Sequence, residues 1–393
     1  MELYRLISNL NLRADPSTNQ TTQGDFPKGT VVQGFETNQD GTWLHVHVPN
    51  TDGGFHDGWM SLKFLEQLHS AALTWRLGVN LREFAYYGSG QGIIKGTQEA
   101  LRTQQLSACQ SAGIKLVRFF ASRCEFDIDT CISYVGKALD TLWSTSQMQA
   151  IVCLDDSLNG SNQYMQGNES YHKYKFGHLI TAYWEQRAYL EPYIRNIIKI
   201  VTAFQNHPAV LMWELGNEFG LYPSPPNPGD ADAFFEFVRT ASQEIRNIAP
   251  TNQLIALGLI STDAVFSQLT TDDRYTASKR LYQLPTVDAI GVHYYQDNYD
   301  DLKECIQIDW QVAHDLGKPF YIGELGAPDS AGNRPAYYAD EIVRWKKADA
   351  LAVMLWQLDS SPWDVGICDD RGFGKWKHPS DYQPILDAIK PLA

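Results

Sequence analysis

Two glutamates stand at the ends of apolar stretches, Glu218 in WELGNEF and Glu324 in YIGELG. Burying a lone carboxylate is costly, so each needs a partner or a task. For either residue alone, a structural ion pair is explanation enough. Delivered to one place about 5 Å apart, two carboxyl groups suit retaining hydrolysis of a glycosidic bond. One attacks the anomeric carbon; the other protonates the leaving oxygen and then deprotonates the incoming water. The attacking group must be ionised, and the other must hold a proton near neutral pH. A neighbouring guanidinium lowers a carboxyl pKa, whereas a poorly solvated setting or a nearby negative charge raises it. Arg118, in IKLVRFF, is the candidate cation: beside Glu324 and away from Glu218, it would push the two pKa values apart. A structural salt bridge is the alternative for Arg118.

Bringing these residues together requires a scaffold. Eight strand-like runs follow Trp75: RLGVNLR (76–82), IKLVRFF (114–120), AIVCLDD (150–156), AVLMWELG (209–216), QLIALGLI (253–260), VDAIGVHYY (287–295), PFYIGELG (319–326) and LAVMLWQL (351–358). Most are nearly continuous apolar stretches, as parallel strands covered on both faces require. Helical patterns lie between them. In DADAFFEFVRTASQEIRNIA (230–249), Phe234, Phe237, Val238, Ala241, Ile245 and Ile248 recur near helical spacing, with Asp230 or Asp232 as a cap. The pattern predicts a (β/α)8 TIM barrel over 75–393, in which the ends of strands 4 and 7 face one mouth. An open doubly wound sheet is the alternative, but its Gly-rich phosphate turn is poorly matched by GVNLREFAYYGSGQG.

The longest loops follow strands 3 and 8, on the mouth face. Residues 157–178 hold Tyr164, Tyr171, His172, Tyr174 and Phe176; residues 359–380 hold Trp363, Phe373 and Trp376. Such rings either stack on a ligand, Trp363 among them, or pack the loops on each other. Arg82 and Glu83 after strand 1, and Asp359 after strand 8, are further polar candidates.

Residues 1–68 read differently, as short alternating strands (LNLRADPS, KGTVVQGFE, TWLHVHV, GWMSLKFLE) broken by NQDG and TDGGFHDG. This predicts a small all-β barrel, with QLHSAALT (67–74) as the boundary.

Composition narrows the partners. The chain has 393 residues, 44% hydrophobic and 20% charged, with a formal net charge of −14. An acidic surface argues against nucleic acid or an anionic membrane as the main partner. No apolar run approaches the roughly 18 residues of a membrane span. None of the six cysteines forms a CxxC pair, and no Cys/His spacing fits zinc, so no metal or cofactor is expected. Cys109 and Cys153 lie in apolar stretches and read as buried thiols; a Cys124–Cys131 disulfide stays open. MELYRLISNL lacks a charged segment followed by an apolar core. The expectation is a secreted or envelope-associated protein if a leader was removed, and a cytoplasmic one otherwise.

Several motifs resemble known families. NHPAVLMWELGNEF (206–219) resembles the strand-4 signature of clan A glycoside hydrolases, and KPFYIGELG (318–326) the strand-7 signature. The resemblance implies that Asn217 contacts a sugar 2-hydroxyl, Glu218 is the acid/base and Glu324 the nucleophile. It matches Tyr295 of GVHYY to the residue that hydrogen-bonds the nucleophile, with His293 beside it. It also matches Trp356 to the ring under the cleaved sugar and Arg118 to the arginine that keeps the nucleophile ionised. The closest likeness is to family 5, the β-mannanase-like members above all. Two departures stand out. IVCLDDS places Asp155 or Asp156 where many family 5 enzymes have a His after strand 3, and Phe219 stands where many have Pro. The pattern of residues 1–68 resembles a bacterial Src-homology-3-like domain, usually a binding or spacer module, which implies a cell-wall or glycan contact. The expected activity is retaining hydrolysis of an oligo- or polysaccharide, with a β-mannan or β-glucan favoured. The rivals are a non-catalytic carbohydrate-binding barrel, a transglycosylase using the same glutamates, and a cell-wall lytic enzyme whose N-terminal module binds envelope polymer.

Overall fold

The computed structural model describes residues 2–49, 55–67, 74–86, 99–122, 126–155, 181–221, 231–250, 252–266, 268–296, 299–328, 332–358 and 382–393. Asp156, Asp230, Asp359, Cys124, Trp363 and the other named rings of 157–178 and 359–380 lie outside them, as does most of the segment 67–74.

The amino-terminal part is one antiparallel sheet of seven strands: β1 (Glu2–Leu6), β2 (Leu10–Arg13), β3 (Thr22–Phe26), β4 (Val31–Thr37), β5 (Trp43–Pro49), β6 (Phe55–Ser61) and β7 (Leu65–Gln67). Alternation sorts its side chains. Leu44, Val46 and Val48 of β5 face a core with Tyr4, Leu6, Leu12, Val32 and Met60, while His45 and His47 face outward. Two strands were not expected. β3 is polar and mostly exposed, so an edge strand leaves no hydrophobic alternation to read. In β1 the alternation is hidden because Arg5, between the core residues Tyr4 and Leu6, is itself fully buried. GWMSLKFLE is also not one strand, because a single 3-10 turn over Leu62–Phe64 separates β6 from β7.

All eight runs of the second part are strands: β8 (Arg76–Asn80), β9 (Leu116–Phe120), β10 (Gln149–Cys153), β11 (Val210–Glu214), β12 (Leu254–Ala256), β13 (Ile290–Tyr295), β14 (Phe320–Gly326) and β15 (Ala352–Leu355). They form one parallel sheet, and β15 pairs with β8 to bring its ends round. Between β12 and β13 a ladder gives way to single bonds, Asp288 N–H to Ile255 O at 2.7 Å and His293 N–H to Ile260 O at 2.7 Å. The result is a nearly closed (β/α)8 barrel, the expected fold class. Helices pack outside it. The helix Asp232–Ile248 buries Phe234, Phe237, Val238, Ala241 and Ile245, as its spacing predicts. Its cap is not an aspartate: Ala231 holds that position, and Asp232 instead takes Arg280 at 2.8 Å. Cys109 and Cys153 are buried. Among the described residues, no helix is long and apolar enough to cross a membrane.

The two sheets meet through buried charge. Arg5 of β1 donates to Asp288 Oδ1 at 2.7 Å, and Arg246 donates to Asp288 Oδ2 at 2.5 Å. The Ile255 N–H completes the acid at 2.8 Å. Gly29 closes the contact at φ +93, where a Cβ would lie 2.6 Å from Arg246 Cγ. Asp288 precedes β13 and Ile255 is the second residue of β12, so the small sheet sits at the amino ends of the barrel strands. Asp288→Asn would remove the carboxylate to which two buried guanidiniums donate. We expect it to lower unfolding stability by about 3–5 kcal/mol, read from denaturant midpoints. A midpoint like that of the wild type would refute the lock.

Candidate active site

Arg118 occupies the middle of the carboxyl-end mouth and is fully buried. A guanidinium has five N–H donors in a fixed plane, and each finds an acceptor. Nε donates to Glu214 Oε2 at 2.7 Å. Nη1 donates to Asn80 Oδ1 at 3.0 Å and to Glu324 Oε1 at 2.8 Å. Nη2 donates to Asn217 Oδ1 at 2.9 Å and faces Cys153 Sγ at 3.9 Å. The acceptors come from β8, β10, β11, β14 and the turn after β11, so one side chain ties together most of the barrel.

Each partner is held in turn. Asn80 Nδ2 donates to Gly323 O at 3.0 Å, and the Tyr321 hydroxyl donates to Glu214 Oε1 at 2.7 Å. Glu324 reaches the interior through an irregularity in β14. Val292 pairs with Ile322, but His293 pairs with Glu324, so Gly323 is an extra residue. Such a bulge re-aims the side chain that follows it. Gly323 also makes room for a ring, since a Cβ there would lie 3.2 Å from His293 Nε2.

The turn bearing Asn217 and Glu218 is held by hydrogen bonds at four backbone positions. The Asn217 N–H bonds Asp155 O at 2.8 Å and the Glu218 N–H bonds Gly258 O at 2.7 Å. The Tyr193 hydroxyl donates to Leu215 O at 2.7 Å, and Trp184 Nε1 donates to Gly220 O at 2.9 Å. Glu218 is forced to φ 53, left-handed space that a non-glycine residue adopts only under constraint. Phe219 packs its ring against Gly216 and within 6.2 Å of the Tyr193 ring, so it fills an aromatic cluster behind the turn.

The electrostatics follow from this crowding. Burial is the largest influence on Glu324 and raises its carboxyl above the ordinary value; His293 and Arg118 oppose it, Glu218 adds to it, and the Tyr295 hydrogen bond opposes it. Arg118 does pull this pKa down, as expected, but desolvation outweighs the guanidinium and the net shift is upward. The Tyr295 hydroxyl donates to Glu324 Oε2, and burial first, then Glu324, hold its phenol far above the usual range, so it remains a donor. His293 Nδ1 lies 2.8 Å from Glu218 Oε1. Burial drives this imidazole down to about 4, with Glu324 opposing and Arg118 assisting, so above that pH it is neutral.

Of the residues expected from sequence, Arg118, Asn217, Glu218, His293, Tyr295 and Glu324 thus share one network. Trp356 follows β15 directly at 5% exposure, its backbone N–H bonded to Leu325 O at 2.8 Å. Asp155 is 1% exposed and accepts from the Ser122 hydroxyl at 2.7 Å, which sets it beneath the mouth. Arg82 and Glu83 are buried neighbours, 3.8 Å apart. Asp156 and Trp363 lie outside the described residues. Asn80, Glu214 and Tyr321 were missed. Asn80 and Glu214 did leave a signal, being polar residues inside otherwise apolar strands. Glu218, His293 and Glu324 offer ligand atoms within 4.8 Å of one another, a set that suits a divalent ion, yet the Arg118 cation already touches Glu324 Oε1.

Residues 158–362 match the family Cellulase (glycosyl hydrolase family 5). The chain belongs to glycosyl hydrolase family 5. Residues 8–66 match the bacterial SH3 domain. Among solved structures, the family 5 barrel is similar to an endo-beta-1,4-mannanase from Thermotoga petrophila, at 17% identity over 82% of this chain and 77% of that one, TM-score 0.57. It is also similar to a GH5-4 broad specificity endoglucanase from Clostridium acetobutylicum (15%, 80% and 96%, TM-score 0.55). An endo-glycoceramidase II from Rhodococcus sp. is a third (15%, 81% and 78%, TM-score 0.54). At these identities the likeness is one of fold. No curated protein sequence matches the chain.

Gly258 shows how little slack this site has. At φ +73, a Cβ would lie 2.1 Å from Gly216 O. Gly258→Ala should cost at least about 1–3 kcal/mol and most of the activity, since the Glu218 N–H is bonded to Gly258 O. Thermal melting and hydrolysis rates test this, and wild-type values in both would refute it.

Proposed function

We propose that this family 5 glycoside hydrolase cleaves β-glycosidic bonds with retention, by double displacement, with Glu324 as nucleophile and Glu218 as acid/base. The observation that supports it best is spacing. A carboxylate oxygen of Glu218 lies within 4.8 Å of one from Glu324. Retaining pairs stand about 5–5.5 Å apart, whereas inverting pairs need about 6.5–9.5 Å to admit a water. Glu324 attacks the anomeric carbon as Glu218 gives its proton to the departing oxygen. Glu218 then takes a proton from water, whose oxygen displaces Glu324. Neutral His293 orients Glu218, Tyr295 and Arg118 each hold one oxygen of Glu324, and Asn217, its carbonyl turned to Arg118, faces the sugar beside the reacting bond. Trp356 lies under that sugar, with Asp155 supporting the turn; Asp156 and Trp363 are kept from the sequence as further substrate-binding candidates. A β-mannan or β-glucan is the substrate favoured here, in keeping with the mannanase and endoglucanase among the similar structures.

Residues 1–68 form a separate module in this reading, joined to a catalytic unit over 75–393, and their outward face supports a glycan or cell-wall contact. Phe35 is 48% exposed, with its ring 4.3 Å from that of His47. The Trp59 ring lies 4.9 Å from His45. His45 and His47 turn Nε2 toward the two oxygens of Asp57, at 3.3 and 2.8 Å. Flat rings edged by hydrogen-bonding groups suit a pyranose, which has an apolar face and a polar rim.

Reducing-sugar release from β-mannans, β-glucans, xylan and cell-wall polymer tests the activity. Glu324→Gln and Glu218→Gln should each lower kcat by about 10³-fold or more with the fold intact. The first product formed should be the β-anomer by NMR, and an α-anomer would refute retention. Because burial raises Glu324, the acid limb should lie above the ordinary carboxyl value of 4.5, with activity falling as pH drops through it. In the full chain, Phe35→Ala should weaken pull-down on the insoluble polymer without changing hydrolysis of short soluble substrates. Unchanged pull-down would remove the module from binding.

A further inference from the structure

The proposed mechanism uses one of the two buried carboxylates on Arg118 and leaves Glu214 without a task. Glu214 is fully buried, and it is no more needed to neutralise Arg118 than Glu324 is. A buried ion pair is weak support for a fold, since apolar replacements often serve as well. Its geometry is nevertheless tightly specified. Oε2 takes Arg118 Nε, Oε1 takes the Tyr321 hydroxyl, and the backbone at Gly258 comes so close that a Cβ there would stand 3.2 Å from Oε2.

The effect falls on Arg118. A guanidinium meeting a carboxylate prefers two parallel N–H bonds, the stronger arrangement. Here Glu324 receives one, from Nη1 to Oε1, and its Oε2 goes to Tyr295. The Nε side of the guanidinium is occupied by Glu214. A nucleophile that must give up its charge gains nothing from a ground state held too firmly, because only interactions stronger in the transition state accelerate the reaction.

We propose that Glu214 is a positioning residue for hydrolysis: it anchors Arg118 through Nε and shares its charge, so that Glu324 is held by a single guanidinium bond and keeps its nucleophilicity. This rests on Glu324 being the nucleophile. The charged and titratable groups around the pair come from every neighbouring strand. They are Arg118 of β9, Cys153 of β10, Glu218 after β11, His293 and Tyr295 of β13, and Tyr321 of β14. Removing the Glu214 charge removes a like charge near Glu324 and frees Arg118 to pair with it more fully. Both effects lower the Glu324 pKa.

The test is the pH dependence of kcat/KM on dinitrophenyl β-cellobioside and dinitrophenyl β-mannobioside, whose leaving groups need no proton. Glu214→Gln keeps the shape and removes the charge. Its acid limb should move down by about one pH unit, with a lower plateau rate. Glu214→Asp keeps the charge but shortens the reach by one methylene, so the same shift should appear at smaller size. A merely structural acid would alter melting temperature and leave the limb in place. A limb that coincides with wild type in whichever variant folds, or loss of fold in both, overturns the inference. Activity that survives Glu324→Gln would instead overturn the nucleophile assignment, a result separate from any shift in the Glu214 variants.

Discussion

Arg118 is the point on which the site depends. A buried guanidinium is tolerable only when its donors are satisfied and its charge is countered, and the barrel meets both conditions with residues from five separate places. The consequence runs in both directions. The strands cannot shift in register without breaking a bond to Arg118, and Arg118 cannot turn without releasing Asn80, Asn217, Glu214 or Glu324. The catalytic geometry and the closure of the barrel are therefore one constraint. This explains why glycines cluster near it. Gly258 and Gly323 give backbone and ring the close approaches that the network demands.

The second carboxyl group, Glu218, belongs to a different kind of support. It is fixed by its backbone, in left-handed space, with the turn around it held by Asp155, Gly258, Tyr193 and Trp184. Its side chain touches the neutral imidazole of His293. The two acids thus sit within a few ångströms of each other in unlike surroundings, one surrounded by fixed donors and the other at 9% exposure near the opening. That asymmetry accords with the proposed roles, in which one group must lose a proton and the other must lend it.

All eight barrel strands could be read from composition because burial on both faces forces apolar runs. Glu218, just beyond β11, and Glu324, within β14, could be read because each is an acid beside or within an apolar run. What escaped had no local signature. Tyr321 looks like any core aromatic, and only the fold brings its hydroxyl to Glu214. Glu214 was absorbed into its strand because Glu218, four residues on, drew the attention. The pKa of Glu324 was misjudged because a sequence shows which charges are near but not how much water is gone. In the small sheet, β3 escaped because an exposed edge has no apolar face, and β1 because Arg5 turns toward the barrel and breaks the alternation.

The ion-paired lock of Arg5, Asp288 and Arg246 lies at the amino ends of β12 and β13, and Glu324 lies near the carboxyl end of β14. A strand of seven residues such as β14 spans about 23 Å at about 3.3 Å per residue. The small sheet and the mouth are therefore at opposite poles of the barrel, held apart by a rigid strut. In the proposed reading, a glycan held by the outward rings of the small sheet is not the same stretch that passes Glu324. If the small sheet does moor the protein, the mouth would face chains above the mooring, with the barrel strands setting the height between the two.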